Sequence, residues 1–324
     1  MSRVLRIGTR DSQLAVWQAT LIQSNLLRSG FSSELVYMKS EGDLDTVTPL
    51  YALGVQGVFT KTLDAALLNN RIDLAVHSMK DLPVQLARGI RQAAVLQRAS
   101  SNDILVYKDP ADLQALGYHQ GQWSDVSRPK ALTIATGSVR RIGQWKNRFP
   151  DHTLENLRGN VNTRLKKLID HNWNGAIFAA AGLERIHLRP ERSIDLDWML
   201  PAPAQGAIVV VCRDDDDFAN EACHGFHDDA TALCTAIERD FLSALLGGCS
   251  TPISALAQIC DGEVHFKGNI VSPDGKEKVA IEKKLPVAGA ANLGTAAAKE
   301  ILLQGGHPIV EEIRKKGLGS NVEI

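Results

Sequence analysis

The sequence predicts an α/β protein with mostly parallel sheets, followed by a small α+β domain. Strand-like and helix-like segments alternate as far as Ala180, and strands separated by helices need the crossover connections that make parallel pairs. Beyond Ile253 three strand-like runs follow one another closely, one connection carrying Ser272-Pro273-Asp274-Gly275. A length of 324 residues suits two or three domains of roughly 100–200 residues each.

The elements follow in order. Val4–Gly8 is a short apolar strand, and Leu14, Trp17, Leu21, Ile22 and Leu26 then recur at helical spacing until Gly30. Glu34–Met38 predicts a strand, Phe59–Leu68 a helix and Asp73–His77 a strand. A second series comprises strands at Leu132–Thr136, Thr153–Leu157 and Ala176–Ala180, alternating with helices at Val139–Arg148 and Val161–Asn172. The last part opens with a long apolar-periodic helix, Thr231–Leu246. Strands at Ile253–Ile259, Val264–Val271 and Lys278–Leu285 follow, then helices at Ala290–Leu303 and Pro308–Lys315. Ser40–Gly57 and Lys108–Lys130 lack periodicity and read as loops. Asp214–Asp217 reads as a solvated acidic loop.

Hydrophobic residues make up 44% of the chain and charged residues 23%, the balance of a globular protein with its own core. A net charge of −1 gives no bulk attraction to nucleic acid or membrane, although basic residues can still gather in one cleft. The N-terminus has no apolar leader and no stretch is long enough to span a bilayer, so a cytoplasmic protein is expected. The cysteines, Cys212, Cys223, Cys234, Cys249 and Cys260, are odd in number and lack C-x-x-C spacing. That excludes a disulfide framework and a cysteine-rich zinc site, and most of these thiols are read as core residues. Cys223-His224-Gly225-Phe226-His227 reads as a surface turn, and no metal site is expected.

One pattern occurs three times: a strand ends, polar residues and an arginine follow, and a helix begins. The cases are Gly8-Thr9-Arg10-Asp11-Ser12, Thr136-Gly137-Ser138-Val139-Arg140-Arg141, and Arg158-Gly159-Asn160 with Arg164 on the helix. Helix N-termini offer free N–H groups to anions, and arginine adds bidentate recognition of carboxylates. Ser12, Ser138 and Asn160 are also good N-caps, and capping alone accounts for any one of the three. Together they are better explained by an anion-binding cleft fed by two α/β units. In Ala75-Val76-His77-Ser78-Met79-Lys80-Asp81-Leu82-Pro83, a carboxylate beside a lysine could stabilise a developing cation or move protons. From spacing alone a loop ion pair is the simpler account of Asp81, and a satisfied strand-end histidine that of His77.

Cys249 lies in Gly247-Gly248-Cys249-Ser250-Thr251-Pro252, just past a helix C-terminus. An exposed thiol invites a functional reading, but a helix C-terminus does not depress a thiol pKa. A permanent attachment point therefore fits better than a turnover nucleophile, with a cysteine tucked under a loop as the plain alternative.

Taken together, these segments resemble the porphobilinogen deaminase (hydroxymethylbilane synthase) family. The matching pieces are Arg6-Ile7-Gly8-Thr9-Arg10-Asp11-Ser12-Gln13-Leu14-Ala15, His77–Asp81, Ser138-Val139-Arg140-Arg141 and Leu157-Arg158-Gly159-Asn160-Val161-Asn162-Thr163-Arg164. Ala181-Gly182-Leu183-Glu184-Arg185, Gln205-Gly206-Ala207 and Gly247-Gly248-Cys249 complete the series, in the family's order.

The resemblance implies two lobes like those of periplasmic binding proteins, residues 1–100 with 201–225 and residues 101–200, and a third domain over 226–324. It implies that four porphobilinogen molecules are joined head to tail with loss of ammonia, giving hydroxymethylbilane. A dipyrromethane primer would be held by a thioether to Cys249, with Lys80, Ser78, Thr136, Ser138, Arg140, Arg141, Arg158 and Asn160 binding it. Arg10, Ser12, Arg158, Arg164, Arg185 and Gln205 would bind substrate, Asp81 would be catalytic, and Ser40–Gly57 would form a lid. A cytoplasmic monomer with no nucleic-acid or membrane partner is the implied setting.

The chain departs from the family pattern at Gln56, where lysine is usual, at Gly137, which removes a hydroxyl, and at Ala204, where glycine is usual. A non-catalytic anion binder of the same shape would not need Asp81 or Cys249. A cysteine-dependent transferase or hydrolase would need a base beside the thiol, and no histidine is placed to serve. A regulatory effector-binding module is the weakest alternative.

Overall fold

The computed structural model describes residues 3–39, 60–124, 130–245 and 251–317. Its strands are β1 (Leu5–Arg10), β2 (Ser33–Met38), β3 (Leu74–Ser78), β4 (Ile90–Val95) and β5 (Asp103–Tyr107). They continue with β6 (Tyr118–His119), β7 (Gln122–Trp123), β8 (Thr133–Ala135), β9 (Thr153–Glu155) and β10 (Gly175–Ala179). The last five are β11 (Ser193–Asp195), β12 (Ile208–Arg213), β13 (Ile253–Cys260), β14 (Glu263–Val271) and β15 (Lys278–Pro286).

Two five-stranded sheets form two lobes, in the orders β2-β1-β3-β12-β4 and β11-β5-β10-β8-β9. Within each, one strand is reversed: β12 runs antiparallel to β3 and β4, and β5 antiparallel to β10 and β11. The fold class is as expected: in each sheet four of the five strands run the same way, and the single reversed strand makes the sheet mixed. The reversed strands are the first that the chain lays down after passing between the lobes. β12 is inserted between β3 and β4, which are already in place, whereas β5 is laid down first and β10 and β11 later flank it.

The two passages lie side by side. Leu96 N donates to Ile208 O at 3.0 Å and Ala99 N to Gly206 O at 3.1 Å. At Gly206, with φ +89°, a Cβ would sit 2.6 Å from Ser100 O and 2.7 Å from Ala99 O, so only glycine fits where the two passages meet.

The helices explain how the sheets are covered. Gln13–Arg28 turns Ala19, Ile22 and Leu26 onto β1 and β3, and Lys61–Leu68 covers the other face with Leu63, Ala66 and Leu67. In the second lobe Val139–Arg148 and Val161–Asp170 play the same parts. The third domain packs Asp229–Leu245, Leu293–Ile301 and His307–Lys315 on the antiparallel sheet β13-β14-β15, around Ile237, Phe241 and Phe266.

The third domain is fastened to both lobes. The Glu238 carboxylate, fully buried, accepts from Arg98 at 2.6 and 2.9 Å, from Ala204 N at 2.6 Å and from Ala257 N at 2.7 Å. On the other side Gln144 Nε2 donates to Leu200 O and Ser254 Oγ, and Asn147 Nδ2 to Gly275 O.

Several expectations are corrected. The supposed loop Lys108–Lys130 holds the helix Pro110–Ala115, capped by Asp109, and the hairpin β6–β7; residues 125–129 lie outside the described residues. The acidic run is not a solvated loop throughout. Asp216 is buried, caps Asp217–Ala222 and accepts from Arg3 and Arg213. Cys212, Cys223 and Cys234 are core residues as expected, while Cys260 is exposed. Burial pushes the Cys223 thiol up to about 12 and that of Cys234 to about 11, which keeps both protonated. No helix among the described residues is long and apolar enough to cross a membrane.

Candidate active site

The carboxyl ends of β1, β3, β8 and β9 bring the three arginine-bearing turns towards the gap between the lobes. Asn162 Nδ2 donates to Gln13 Oε1 across it at 3.0 Å, and the Arg185 guanidinium lies 5.9 Å from the Trp17 ring centre. The first helix of one lobe therefore touches the second lobe directly.

Arg10 ends β1, and its charge reaches His77 at the end of β3. Ser12 caps the helix that follows, accepting from Ala15 N at 3.4 Å. Asn160 caps Val161–Asp170, accepting from Thr163 N at 2.9 Å. For these two residues the capping account holds. Ser138 occupies the same position before Val139–Arg148, yet its side chain makes no capping bond. Thr136 is buried, and its hydroxyl accepts from Ser138 N at 3.3 Å. A Cβ at Gly137 would lie 2.6 Å from Leu157 O, so this chain has no room for the side chain that the family usually carries there.

Arg140 and Arg141 are buried, and the structure gives them a partner that the sequence did not reveal. Asp103, at the start of β5, is fully buried and accepts from Arg140 Nη2 at 2.6 Å and from Arg141 Nε and Nη2 at 3.1 and 2.7 Å. Arg140 also reaches Leu200 O, and Arg141 reaches Ile177 O. Burial alone would raise the Asp103 pKa, but the two arginines overcome it and hold the carboxyl well below the usual carboxylate range.

Gln205 links this cluster to the β3 turn. Its Nε2 donates to Asp103 at 2.9 Å and to Ser101 O at 2.7 Å, and its Oε1 accepts from Lys80 Nζ at 3.1 Å. Burial pulls the Lys80 ammonium down to about 8; Asp81 opposes the shift and Arg141 adds to it. Ser78 Oγ accepts from Gln18 Nε2 at 2.9 Å. Asp81 closes the short 3-10 turn Met79–Asp81 and is exposed. The loop ion pair expected for Asp81 and Lys80 is not formed: among the described residues Asp81 makes no hydrogen bond or ion pair, although its charge acts on Lys80 and Arg164. His77 is not satisfied either. It is buried, its Nε2 has no partner among the described residues, and burial, with Arg10, lowers its pKa to about 4.

Arg158 is buried beside Arg164. Arg164 Nε donates to Gly159 O at 2.7 Å, and burial, with Arg141 and Arg158 nearby, lowers its pKa to about 10. Arg185 donates to Gly206 O at 2.6 Å, and burial lowers its pKa to about 10 as well. The charges of Arg140, Arg141 and Arg158 thus act on Lys80, Arg140 and Arg164, and among the described residues Asp81 and Asp103 are the carboxylates that act back on them. In a chain of net charge −1, this is a concentrated cationic site.

Cys249, Gln56 and the Ser40–Gly57 segment lie outside the described residues. No group of metal-ligating side chains occurs among the described residues.

Comparison with known proteins places this geometry. Residues 5–221 match the family model "Porphobilinogen deaminase, dipyromethane cofactor binding domain", and residues 232–303 match "Porphobilinogen deaminase, C-terminal domain". The chain belongs to the porphobilinogen deaminase family. It is a transferase of tetrapyrrole biosynthesis that joins four porphobilinogen molecules into hydroxymethylbilane with release of ammonia, using a dipyrromethane cofactor.

Among solved structures, the VFT2 domain of Bordetella pertussis BvgS is similar at 14% identity, over 71% of this chain and 90% of that one, with a TM-score of 0.36. An ancestral cationic amino acid solute binding protein gives 13% identity, 68% and 88% coverage and a TM-score of 0.42. A Burkholderia cenocepacia nutrient binding protein bound to methionine gives 12%, 69%, 91% and 0.41. These scores are low, and the two-lobed architecture rests on strand order and register instead.

Proposed function

We propose that the cationic cluster binds the carboxylates of the cofactor and of porphobilinogen, and that Asp81 runs the chemistry. The observation that carries this reading is the juxtaposition of Asp81, a carboxylate that makes no hydrogen bond or ion pair among the described residues, with a cluster of five cations. The residues suit a carboxylate-bearing pyrrole. Arg140 Nε is buried without a hydrogen-bond acceptor, only the Nε of Arg164 is bonded among the described residues, and the Ser138 hydroxyl is not spent on capping. Each is a donor with capacity for a carboxylate oxygen.

When bound, the dipyrromethane supplies the pyrrole carbon from which the product chain grows. Lys80, Ser78, Thr136, Ser138, Arg140, Arg141, Arg158 and Asn160 would hold it, and Cys249 would anchor it through a thioether. Arg10, Ser12, Arg158, Arg164, Arg185 and Gln205 receive the incoming porphobilinogen. As ammonia leaves, positive charge spreads over the substrate pyrrole, and the Asp81 carboxylate accepts the ring N–H and stabilises that charge. The methylene carbon that ammonia leaves would then bond to the free pyrrole α-carbon of the growing chain, and the same carboxylate would assist removal of the proton that this α-carbon loses to restore aromaticity. Asp103 keeps Arg140 and Arg141 apart from Asp81 and aimed from a fixed point.

The domain boundaries that go with this reading are 1–100 with 201–225, 101–200, and 226–324, in a monomeric cytoplasmic enzyme.

Intact mass of the purified protein, with an acid aldehyde reagent for pyrroles, tests the anchor. The expected result is a mass above that of the polypeptide and a positive colour, both lost in Cys249→Ala. A Cys249→Ala protein that kept the added mass and the activity would overturn the assignment. Substitution of Arg140 or Arg141 is expected to stall cofactor assembly or substrate entry, and unchanged turnover in both would count against the carboxylate clamp.

A further inference from the structure

The turn that carries Lys80 and Asp81 is too short to hold itself. It is a single 3-10 turn, closed by Leu82 N donating to Met79 O at 3.2 Å, after which the chain runs extended. Arg239, on the helix Asp229–Leu245, adds donors to the carbonyls of this segment. Its Nη1 donates to Met79 O at 3.4 Å and Leu82 O at 3.1 Å, and its Nη2 to Pro83 O at 2.5 Å and Val84 O at 3.0 Å. A planar guanidinium can serve converging carbonyls in this way, whereas an ammonium carries its three donors on a single atom.

The neighbouring residue on the helix acts on the same turn from the other side. Glu238 receives Arg98, whose Nε donates to Gln205 O at 2.8 Å, and Gln205 in turn accepts from Lys80 Nζ. The backbone of the turn and the side chain of Lys80 are therefore both referred to one helix of the third domain. That helix leads in sequence towards Cys249.

We infer that Arg239 is a positioning residue for the condensation reaction: by clasping the carbonyls of the Met79–Val84 segment it sets where the Asp81 carboxylate stands. The inference rests on the assignment of Asp81 as the catalytic carboxylate. Its consequence is specific. Loss of the clasp leaves Asp81 present and able to ionise but displaced, and displacements of an ångström slow an oriented reaction by up to about a hundredfold. Carboxylate binding, carried by the arginines of the lobes, is left in place.

The test uses the full chain carrying its cofactor, in Arg239→Gln and Arg239→Lys variants, with kcat expressed per cofactor-bearing chain counted by intact mass. The expected result is a fall in kcat of about ten- to a hundredfold in Arg239→Gln with KM within about threefold, and at most partial rescue in Arg239→Lys. A purely structural role predicts fewer loaded or folded chains with unchanged kcat in those that remain, and that result would overturn the inference. A cycle with Asp81→Glu separates the two levels of the argument. Effects of Arg239→Gln and Asp81→Glu that are non-additive support the coupling, and additive ones reject it. Full activity in Asp81→Asn would instead remove the assignment of Asp81 itself.

Discussion

Both terminal nitrogens of Arg98 meet the carboxylate of Glu238, at 2.6 and 2.9 Å, where the passages between the lobes cross the first helix of the third domain. The pair joins three parts of the chain at once, because Glu238 also accepts from Ala204 N and Ala257 N. Ala204 itself has φ +61°, a left-handed conformation that glycine adopts more easily. Alanine therefore stands at a place where the family's usual glycine would relax the backbone, and the Glu238 hydrogen bond helps to hold it.

Removing one side of a buried ion pair strands the other. Glu238→Ala is expected to cost about 3–5 kcal/mol of stability, since it leaves the Arg98 guanidinium and two backbone N–H groups without their acceptor. Urea denaturation measures it; a loss below about 1 kcal/mol would show the junction to be dispensable.

Acid stability follows from Asp103 and Asp73. Both pKa values are held below the usual carboxylate range, Asp103 by Arg140 and Arg141 against the effect of burial, and Asp73 by Arg6 and Arg3 against the same effect. A depressed folded pKa adds stability that is complete above the unfolded value of about 3.9 and is lost as pH falls towards the folded value. Stability is therefore expected to drop between about pH 5 and pH 2, with a shallower drop in Asp103→Asn. An equal slope in the variant, measured by denaturation across that range, would contradict the ion-pair account.

At alkaline pH the relevant group is Lys80, lowered to about 8 by burial. Its positive charge is present below that value and lost above it. In the proposed site Lys80 holds the cofactor, so the fraction of chains that take up the cofactor, counted by intact mass, should fall as pH passes through about 8. Lys80→Arg keeps its charge over that range and should remove the inflection. An unchanged loading profile in the variant would assign the titration elsewhere.

Gly137 offers a test of local geometry. Restoring the family's usual serine there would drive a Cβ to 2.6 Å from Leu157 O. Gly137→Ser is expected to destabilise the protein by about 1–3 kcal/mol rather than improve it. A thermal midpoint equal to or above that of the parent would contradict this.

Much of the fold is legible in the sequence because it is written locally. Val139–Arg148 is helical over the very span its pattern predicts, and β13–β15 fall within two residues of expectation. Pro110 after Asp109 is likewise a local sign of a helix start, one overlooked inside a segment read as loop. β4, β5 and β12 are different. β5 and β12 are short, largely apolar runs buried on both faces, without alternation to mark them, and they are the reversed strands; β4 carries Arg91 and Gln92 within its run and shows no clean alternation either.

The candidate site divides in the same way. Its arginines stand in recognisable turns, so the sequence could nominate them. Asp103 is 37 residues from Arg140, Arg98 is 140 from Glu238, and Arg239 is 156 from Pro83. Nothing near any of these residues announces its partner. Ser138 shows the converse case: its position promises a cap that its hydroxyl does not make.

The central claim is that Asp81 performs the chemistry while the cations around it bind. Turnover of Asp81→Asn, measured on chains shown by intact mass to carry the cofactor, tests this most directly. The account predicts a kcat lower by at least about a hundredfold, with porphobilinogen still bound at near-parental affinity, because the lost charge is needed only where positive charge develops. Parental kcat in cofactor-bearing Asp81→Asn would contradict it.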